Sequence, residues 1–292
     1  MVEQRRFGDT GLQVSAIGLG AGQIGEHDVS EEDAAAVLHG ALDLGVTLID
    51  TARSYGASEE RIGRHLAHRR DEFVLSSKGG AGVEGLPDWS PQAVTRSIED
   101  SLRRTRSERI DVFHLHSCSV EVLRRGDLQD ALDAAVAAGK VGVAAYSGDN
   151  EHLAFAAGSG RFGSVEASAS IADQWNLRNV AGRHPELGVI AKRPIANAPW
   201  RFAERPVGHY AELYWERLRE LDYDFGDLDR AELALRFTAY APGVHSAIVG
   251  TAKLGNLRRN VEAAARGPLP EDVLQRIDAT WRRVGADWPS ST

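Results

Sequence analysis

The chain has one cysteine, Cys118, among 292 residues, so no disulfide can form within it. That fits a reducing compartment, and a cytoplasmic location is expected. It has little proline, 10 residues in all, and no Pro/Ser-rich tract that would mark a linker. One domain over residues 1–292 is therefore expected. No apolar run approaches the roughly 20 residues of a membrane span. The stretch Met1–Phe7 is not followed by an apolar core, so no secretory leader and no membrane association are expected. There is no excess of positive charge. The formal net charge is -8, with acids and bases interspersed, which disfavours binding to nucleic acid. No obligate protein partner is evident.

What is present is an ordinary globular composition, 42% hydrophobic and 26% charged, arranged as an alternation. Phe7–Leu12 reads as a hairpin turn and Val14–Leu19 as one strand. Ser30 caps a helix that stops at Gly45. Strands follow at Thr47–Asp50, Phe73–Lys78, Ile110–His116, Val141–Tyr146, Ser164–Ala169, Gly188–Lys192 and Ser246–Val249. Helices are expected between them, at Glu59–His68, from Ser90-Pro91, at Leu128–Ala138, Glu151–Ala157, Leu177–Gly182, Ala211–Leu221 and Asp229–Tyr240. Asn256–Ala265 and Glu271–Val284 close the chain as helices. Eight strands alternating with helices mean parallel strands joined by crossovers. The expected class is α/β, a (β/α)8 TIM barrel with an N-terminal β-hairpin and extra C-terminal helices. Eight units over about 250 residues suit it, and a doubly wound open sheet is the alternative. The longest irregular stretch, residues 194–209, suggests a functional loop.

In such a barrel the chemistry sits at the C-terminal strand ends. The polar residues there are Asp50, Lys78, His116, Ser147, Glu166 and Lys192, with Gly250 on the last strand and Tyr55 just past Asp50. Buried ionisable groups are costly unless paired, so packing alone is a poor explanation for this ring. Asp50 can pair with Lys78. The ammonium near the phenol of Tyr55 is expected to lower its pKa and make it a general acid. His116 would orient the oxygen that receives the proton. No thiol or activated serine is offered for acyl transfer. His114 and His116 lie on one face of a strand, as in metal hydrolases. With Lys78 beside them and no further His at a strand end, no metal is expected, and His114 reads as a core histidine with its hydrogen bonds satisfied. Gly20-Ala21-Gly22-Gln23-Ile24-Gly25 matches a dinucleotide glycine pattern, but no helix starts at its third glycine, so it reads as a wide loop, expected beneath a bound cofactor and near the substrate.

Asp50-Thr51-Ala52-Arg53-Ser54-Tyr55-Gly56 resembles the Asp-Thr-Ala-x-x-Tyr-Gly motif of the aldo-keto reductases. Lys78, His116, the early Val14–Gly20 stretch and the late Ser246–Thr251 stretch fit the same family over essentially the whole chain. The resemblance implies reduction of an aldehyde or ketone by NADPH, with NADH as the second option, and Asp50, Tyr55, Lys78 and His116 as catalytic residues. A cofactor-binding regulatory subunit with little turnover is the alternative. For the cofactor the resemblance implies Ser147 and Glu166 at the carboxamide. Gly148 replaces the Asn of the family's Ser-Asn pair, and Lys192-Arg193-Pro194-Ile195 replaces Tyr-Ser-Pro-Leu, so the stacking aromatic is absent and the two cations point to the pyrophosphate. Gly250, Thr251, Lys253 and Asn256 would form the phosphate loop, with Lys253 on the 2′-phosphate and Asn260 on the adenine. Trp89 and Trp200 are the candidate substrate walls.

Overall fold

The structure is a computed structural model and describes residues 2–223 and 228–291. Strands β1 (Gln4–Arg6) and β2 (Gln13–Ser15) pair antiparallel. The closed barrel consists of β3 (Ile17–Gly20), β4 (Leu48–Asp50), β5 (Val74–Gly79), β6 (Ile110–His116), β7 (Val141–Ser147), β8 (Ser164–Ser168), β9 (Gly188–Lys192) and β10 (Ser246–Gly250). All neighbours are parallel, and β10 closes on β3. The sheet has no open edge, which removes the doubly wound alternative. Helices alternate with the strands as the sequence pattern required. Ser30 and Ser90 cap Glu31–Asp43 and Pro91–Thr105, each accepting a backbone N–H from three residues on.

The expected single strand over Val14–Leu19 is in fact two. The chain leaves the hairpin and enters the barrel at a bend on Ala16. Ser15 satisfies the backbone there: its Oγ donates to Ile17 O (2.6 Å) and accepts from Thr47 N (2.8 Å). Short elements not anticipated are a one-turn helix at Val120–Leu123 and 3-10 turns at Gln23–Gly25 and Pro199–Arg201, and the helix expected over Glu59–His68 passes into a 3-10 segment at Ala67–Glu72.

The barrel interior is filled from below. Leu48, Val74, Val112, Ala145, Ile190 and Ile248 point inward and pack with Phe7 and Val14 of the hairpin. Phe7 is fully buried. A Cβ on Gly188 would lie 2.5 Å from its ring, so this plug requires glycine at the start of β9. Burying a side chain of this size stabilises by about 1.5–3 kcal/mol. A plugged floor leaves the opposite, C-terminal mouth as the place for a ligand. A second apolar cluster joins Tyr214, Leu233, Ile277 and Trp281, and holds the C-terminal helices against the loops after β8 and β9. Among the described residues no helix is long and apolar enough to cross a membrane.

Candidate active site

The register sets the site. Asp50 is level with Ser76, Lys78 with His114, His116 with Ser147, and Ser147 with Glu166. The layer that these strands build over successive rungs of the ladder, from β4 to β8, presents a carboxylate, an ammonium, two imidazoles and a second carboxylate. Lys78 is 1% exposed and Asp50 and Glu166 are each 2% exposed, so these charges can persist only by pairing. Lys78 Nζ donates to Asp50 Oδ2 (2.5 Å) and to Thr51 O (2.9 Å), and lies 3.2 Å from Glu166 Oε2. Ser76 Oγ donates to Asp50 Oδ1 (2.8 Å). Glu166 Oε2 makes no hydrogen bond of good geometry, and Ser147 Oγ reaches its Oε1 only at 3.5 Å.

Two carboxylates thus share one ammonium. Burial holds one carboxyl of the pair above the usual carboxylate range, while Lys78 keeps the other charged. Asp50, His114 and Glu166 are spaced like a metal-ligating group. Lys78 already supplies the counter-charge at that point. His114 is only half satisfied: Nε2 meets Ser76 Oγ at 3.1 Å, and Nδ1 has no hydrogen-bond partner. Burial pushes both His114 and His116 down to about 4, so both are neutral at neutral pH.

Tyr55 sits above this layer. Lys78 Nζ lies 5.4 Å from the centroid of its ring, and its ring meets His116 edge-on at 5.9 Å. The expected lowering of the phenol pKa is overturned. Lys78 is the largest single influence and does lower it, but burial together with Glu166 and Asp50 leaves the phenol above its ordinary value. Burial is the largest of the raising causes, and the carboxylate of Glu166 on β8 is the next.

A cavity of about 830 Å³ opens at this mouth. Of the residues expected there, Asp50, Tyr55, His116, Ser147, Gly148, Glu166, Lys192, Arg193, Pro194, Ile195, Gly250, Thr251 and Asn256 line it. Lys78 lies beneath them. Lys253 is exposed at the start of the helix Leu254–Ala264, and neither it nor Asn260 is on the lining. Trp89 and Trp200 are not on it either. Trp89 packs against Gly80, and Trp200 borders a separate cavity with Trp215 and Tyr223. The wide glycine-rich loop reaches the cavity through Gly20, Gly22 and Gln23, as expected, and the walls that sequence reasoning missed include Ser117, Tyr146, Asp149, His152, Asn197, Ala198, Arg201 and Tyr210. The loop after β9 is folded by non-glycine residues in the left-handed region, Arg193, Ala196, Asn197 and Ala198, a conformation rare for such residues.

Gly148 is dictated by Tyr146. A Cβ at 148 would lie 2.6 Å from Tyr146 Cε1 and Oη, and Tyr146 is itself held by donating to Cys118 O (2.6 Å). The next two residues are engaged elsewhere. Asp149 accepts from Ser168 N and Asn176 and lies 3.3 Å from Lys192 Nζ. Asn150 exchanges two hydrogen bonds with Ser290 of the C-terminal tail. That tail runs along the rim: Ser290 and Ser291 donate to Asp173, and Arg193 donates to Ser291 O (2.9 Å). Nothing in the sequence marked the tail as part of the mouth.

The lining suits a nicotinamide dinucleotide. It has a buried carboxylate at Glu166 beside Ser147, one oxygen of which makes no hydrogen bond, cations at Lys192 and Arg193, and the Gly250-Thr251 loop ahead of a helix. Comparison with known proteins identifies the family. The model of the Aldo/keto reductase family matches residues 16–282. An oxidoreductase of Bacillus subtilis, YqkF, is 25% identical over 310 residues, spanning 95% of this chain and 96% of its own. D-threo-aldose 1-dehydrogenase from a Pseudomonas species is 27% identical over 309 residues, spanning 87% of this chain and 91% of its own. The holo form of an aldo-keto reductase from Bacillus halodurans superposes with a TM-score of 0.80 at 23% identity, covering 96% of each chain, which speaks to the fold.

Proposed function

The chain belongs to the aldo/keto reductase family of oxidoreductases, and on that premise we propose that it reduces an aldehyde or ketone to the alcohol with NADPH, Tyr55 giving the proton. The observation that carries this reading is the stack of Asp50, Lys78, Tyr55 and His116 at one edge of the cavity. The nicotinamide, when bound, supplies the hydride to the carbonyl carbon. Tyr55 gives its proton to the carbonyl oxygen, and its raised pKa keeps that proton in place at neutral pH. His116, uncharged at that pH, hydrogen-bonds the same oxygen and orients it. Lys78 stabilises the phenolate left behind, and Asp50 fixes Lys78. Solvent then restores the phenol.

Ser147 and Glu166 would hold the carboxamide, and Lys192, Arg193 and the Gly250–Asn256 loop the phosphates, near a helix N-terminus that favours anions. Lys253 is assigned to the 2′-phosphate and Asn260 to the adenine. One catalytic domain over 1–292, working in the cytoplasm on a small molecule, is the form of protein this implies. A hydroxylated carbonyl such as an aldose is the first class to assay, because the outer lining is polar (His152, Asn197, Arg201, Tyr210) and one relative is an aldose dehydrogenase.

Tyr55→Phe is expected to cut turnover by about 10²–10⁴-fold while nucleotide still quenches tryptophan fluorescence. Wild-type rates in that variant on a working substrate would remove Tyr55 as the acid. A cofactor-sensing subunit would instead bind nucleotide and oxidise it slowly with every carbonyl offered. Titrating NADPH and NADH into Lys253→Ala should weaken NADPH by about tenfold or more, the worth of one charge-assisted hydrogen bond, and leave NADH unchanged. Equal losses for both would place the 2′-phosphate elsewhere.

A further inference from the structure

The least expected group in the site is Glu166. Its carboxylate is buried in the middle of β8, at the cavity wall, and the oxygen that lies 3.2 Å from Lys78 Nζ makes no hydrogen bond of good geometry. Asp50 alone would neutralise Lys78, at 2.5 Å and with Ser76 in support. A second buried carboxylate on the same ammonium is costly to the fold, so it calls for a reason beyond pairing.

Resting on the reductase reading above, we propose that Glu166 is a positioning residue that offsets the charge of Lys78 toward Tyr55 and so holds the phenol in its proton-donating form. The consequence is directional in pH. Reduction transfers hydride to the carbonyl carbon and the Tyr55 proton to its oxygen, so it fails as pH rises through the phenol pKa. Oxidation runs the same atoms backward. Hydride leaves the alcohol carbon and the hydroxyl proton passes to the phenolate, so oxidation appears only as pH rises through that pKa. Glu166 extends reduction toward alkaline pH and confines oxidation there.

Four charged groups act on the phenol. Lys78 on β5 and Arg193 after β9 lower its pKa, while Asp50 on β4 and Glu166 on β8 raise it. His116 on β6 is neutral, since burial and then Lys78 push it down to about 4. Around Glu166 itself, burial opposes the charged form, while Lys78 and Lys192 favour it. Asp50, pushed up to about 7, is ionised by the alkaline pH at which a phenol titrates. There Asp50, Lys78 and Glu166 sum to one net negative charge. Removing Glu166 makes that sum zero, and the phenol becomes easier to ionise.

The test is a phenolate titration by ultraviolet difference absorbance in protein without nucleotide, wild type minus Tyr55→Phe, repeated in a Glu166→Gln background. The Tyr55 midpoint is expected about one pH unit or more lower in Glu166→Gln. The alkaline limbs of reduction and oxidation should move down with it. Glu166→Asp, which keeps the charge, should return the midpoint toward wild type. Should glutamine not be accommodated, Glu166→Ala removes the same charge with fewer atoms. An unmoved or raised midpoint in the charge-free variant overturns the proposal, even where Tyr55→Phe has abolished turnover and the reductase reading stands. A protein in which Tyr55→Phe leaves turnover intact refutes that reading instead, whatever the midpoint does.

Discussion

On the β4–β6 side of the barrel mouth, Asp50, Lys78 and His116 come from consecutive strands and meet through the register of the sheet. On the β7–β9 side, Asp149, Asp173 and Arg193 are held by loops and by the C-terminal tail, through contacts such as Asp173 to Ser290 and Arg193 to Ser291. The first arrangement is positioned by strands whose ends cannot shift without breaking the barrel. The second is held by hydrogen bonds between segments about a hundred residues apart. Chemistry that needs fixed distances sits in the first, and the adjustable walls of the cavity sit in the second.

The sharpest way to break this comparison is Lys78→Met. On the strand side it leaves Asp50 and Glu166 buried together with no ammonium between them. Removing one partner of a buried ionic cluster costs about 3–5 kcal/mol, and denaturant unfolding at neutral pH should show a loss of that order. The sign with pH is fixed: carboxyls forced upward in the folded state make the variant regain stability as the pH falls and they take up protons. Carbonyl reduction should fall by about two orders of magnitude or more. A stable, active Lys78→Met would mean the strand-side charges are not coupled.

The same division decides what could be read from residues. Ile110–His116, Gly188–Lys192 and Glu271–Val284 have the bounds the pattern gave, because each is a periodic apolar run between clear stops. Asp50, Lys78 and His116 were legible because polar groups ending apolar strands have little structural reason to be there. The break at Ala16 was not, since nothing in Val14–Leu19 marks a bend. The direction of the Tyr55 shift was also out of reach. It is set by burial and then by carboxylates on two other strands, Glu166 and Asp50, which residue order does not state. Trp89 and Trp200 were assigned to the mouth by the loops that carry them, but side chains on loops follow local packing, and both turn toward other neighbours. The tail was invisible because Ser290 and Ser291 are unremarkable until Asp173 and Asn150 are beside them.

The smaller test falls on the loop side, at Asp173. It is 1% exposed and accepts from Tyr214 Oη (3.1 Å), Ser290 Oγ (2.6 Å) and Ser291 N (2.9 Å). All three donors favour the charged carboxylate, yet burial outweighs them and pushes it up to about 6 from 3.8. A carboxyl raised in the folded state binds more protons there than in the unfolded chain, so its contribution declines as pH rises from about 4 to about 6. Asp173→Asn carries no charge and should lack that decline. The difference in stability between variant and wild type should therefore shift in the variant's favour across this window, read from urea midpoints at several pH values. At fixed pH the amide cannot accept all three donors as well, which costs about 1–3 kcal/mol, less than Lys78→Met. With the tail loosened, Arg193 loses Ser291 O as an acceptor, so KM for the nucleotide should rise while kcat stays near wild type. A fall in kcat as large as that of Lys78→Met would show that the tail and the strand ends act as one rigid unit, and the contrast between the two sides of the mouth would be lost.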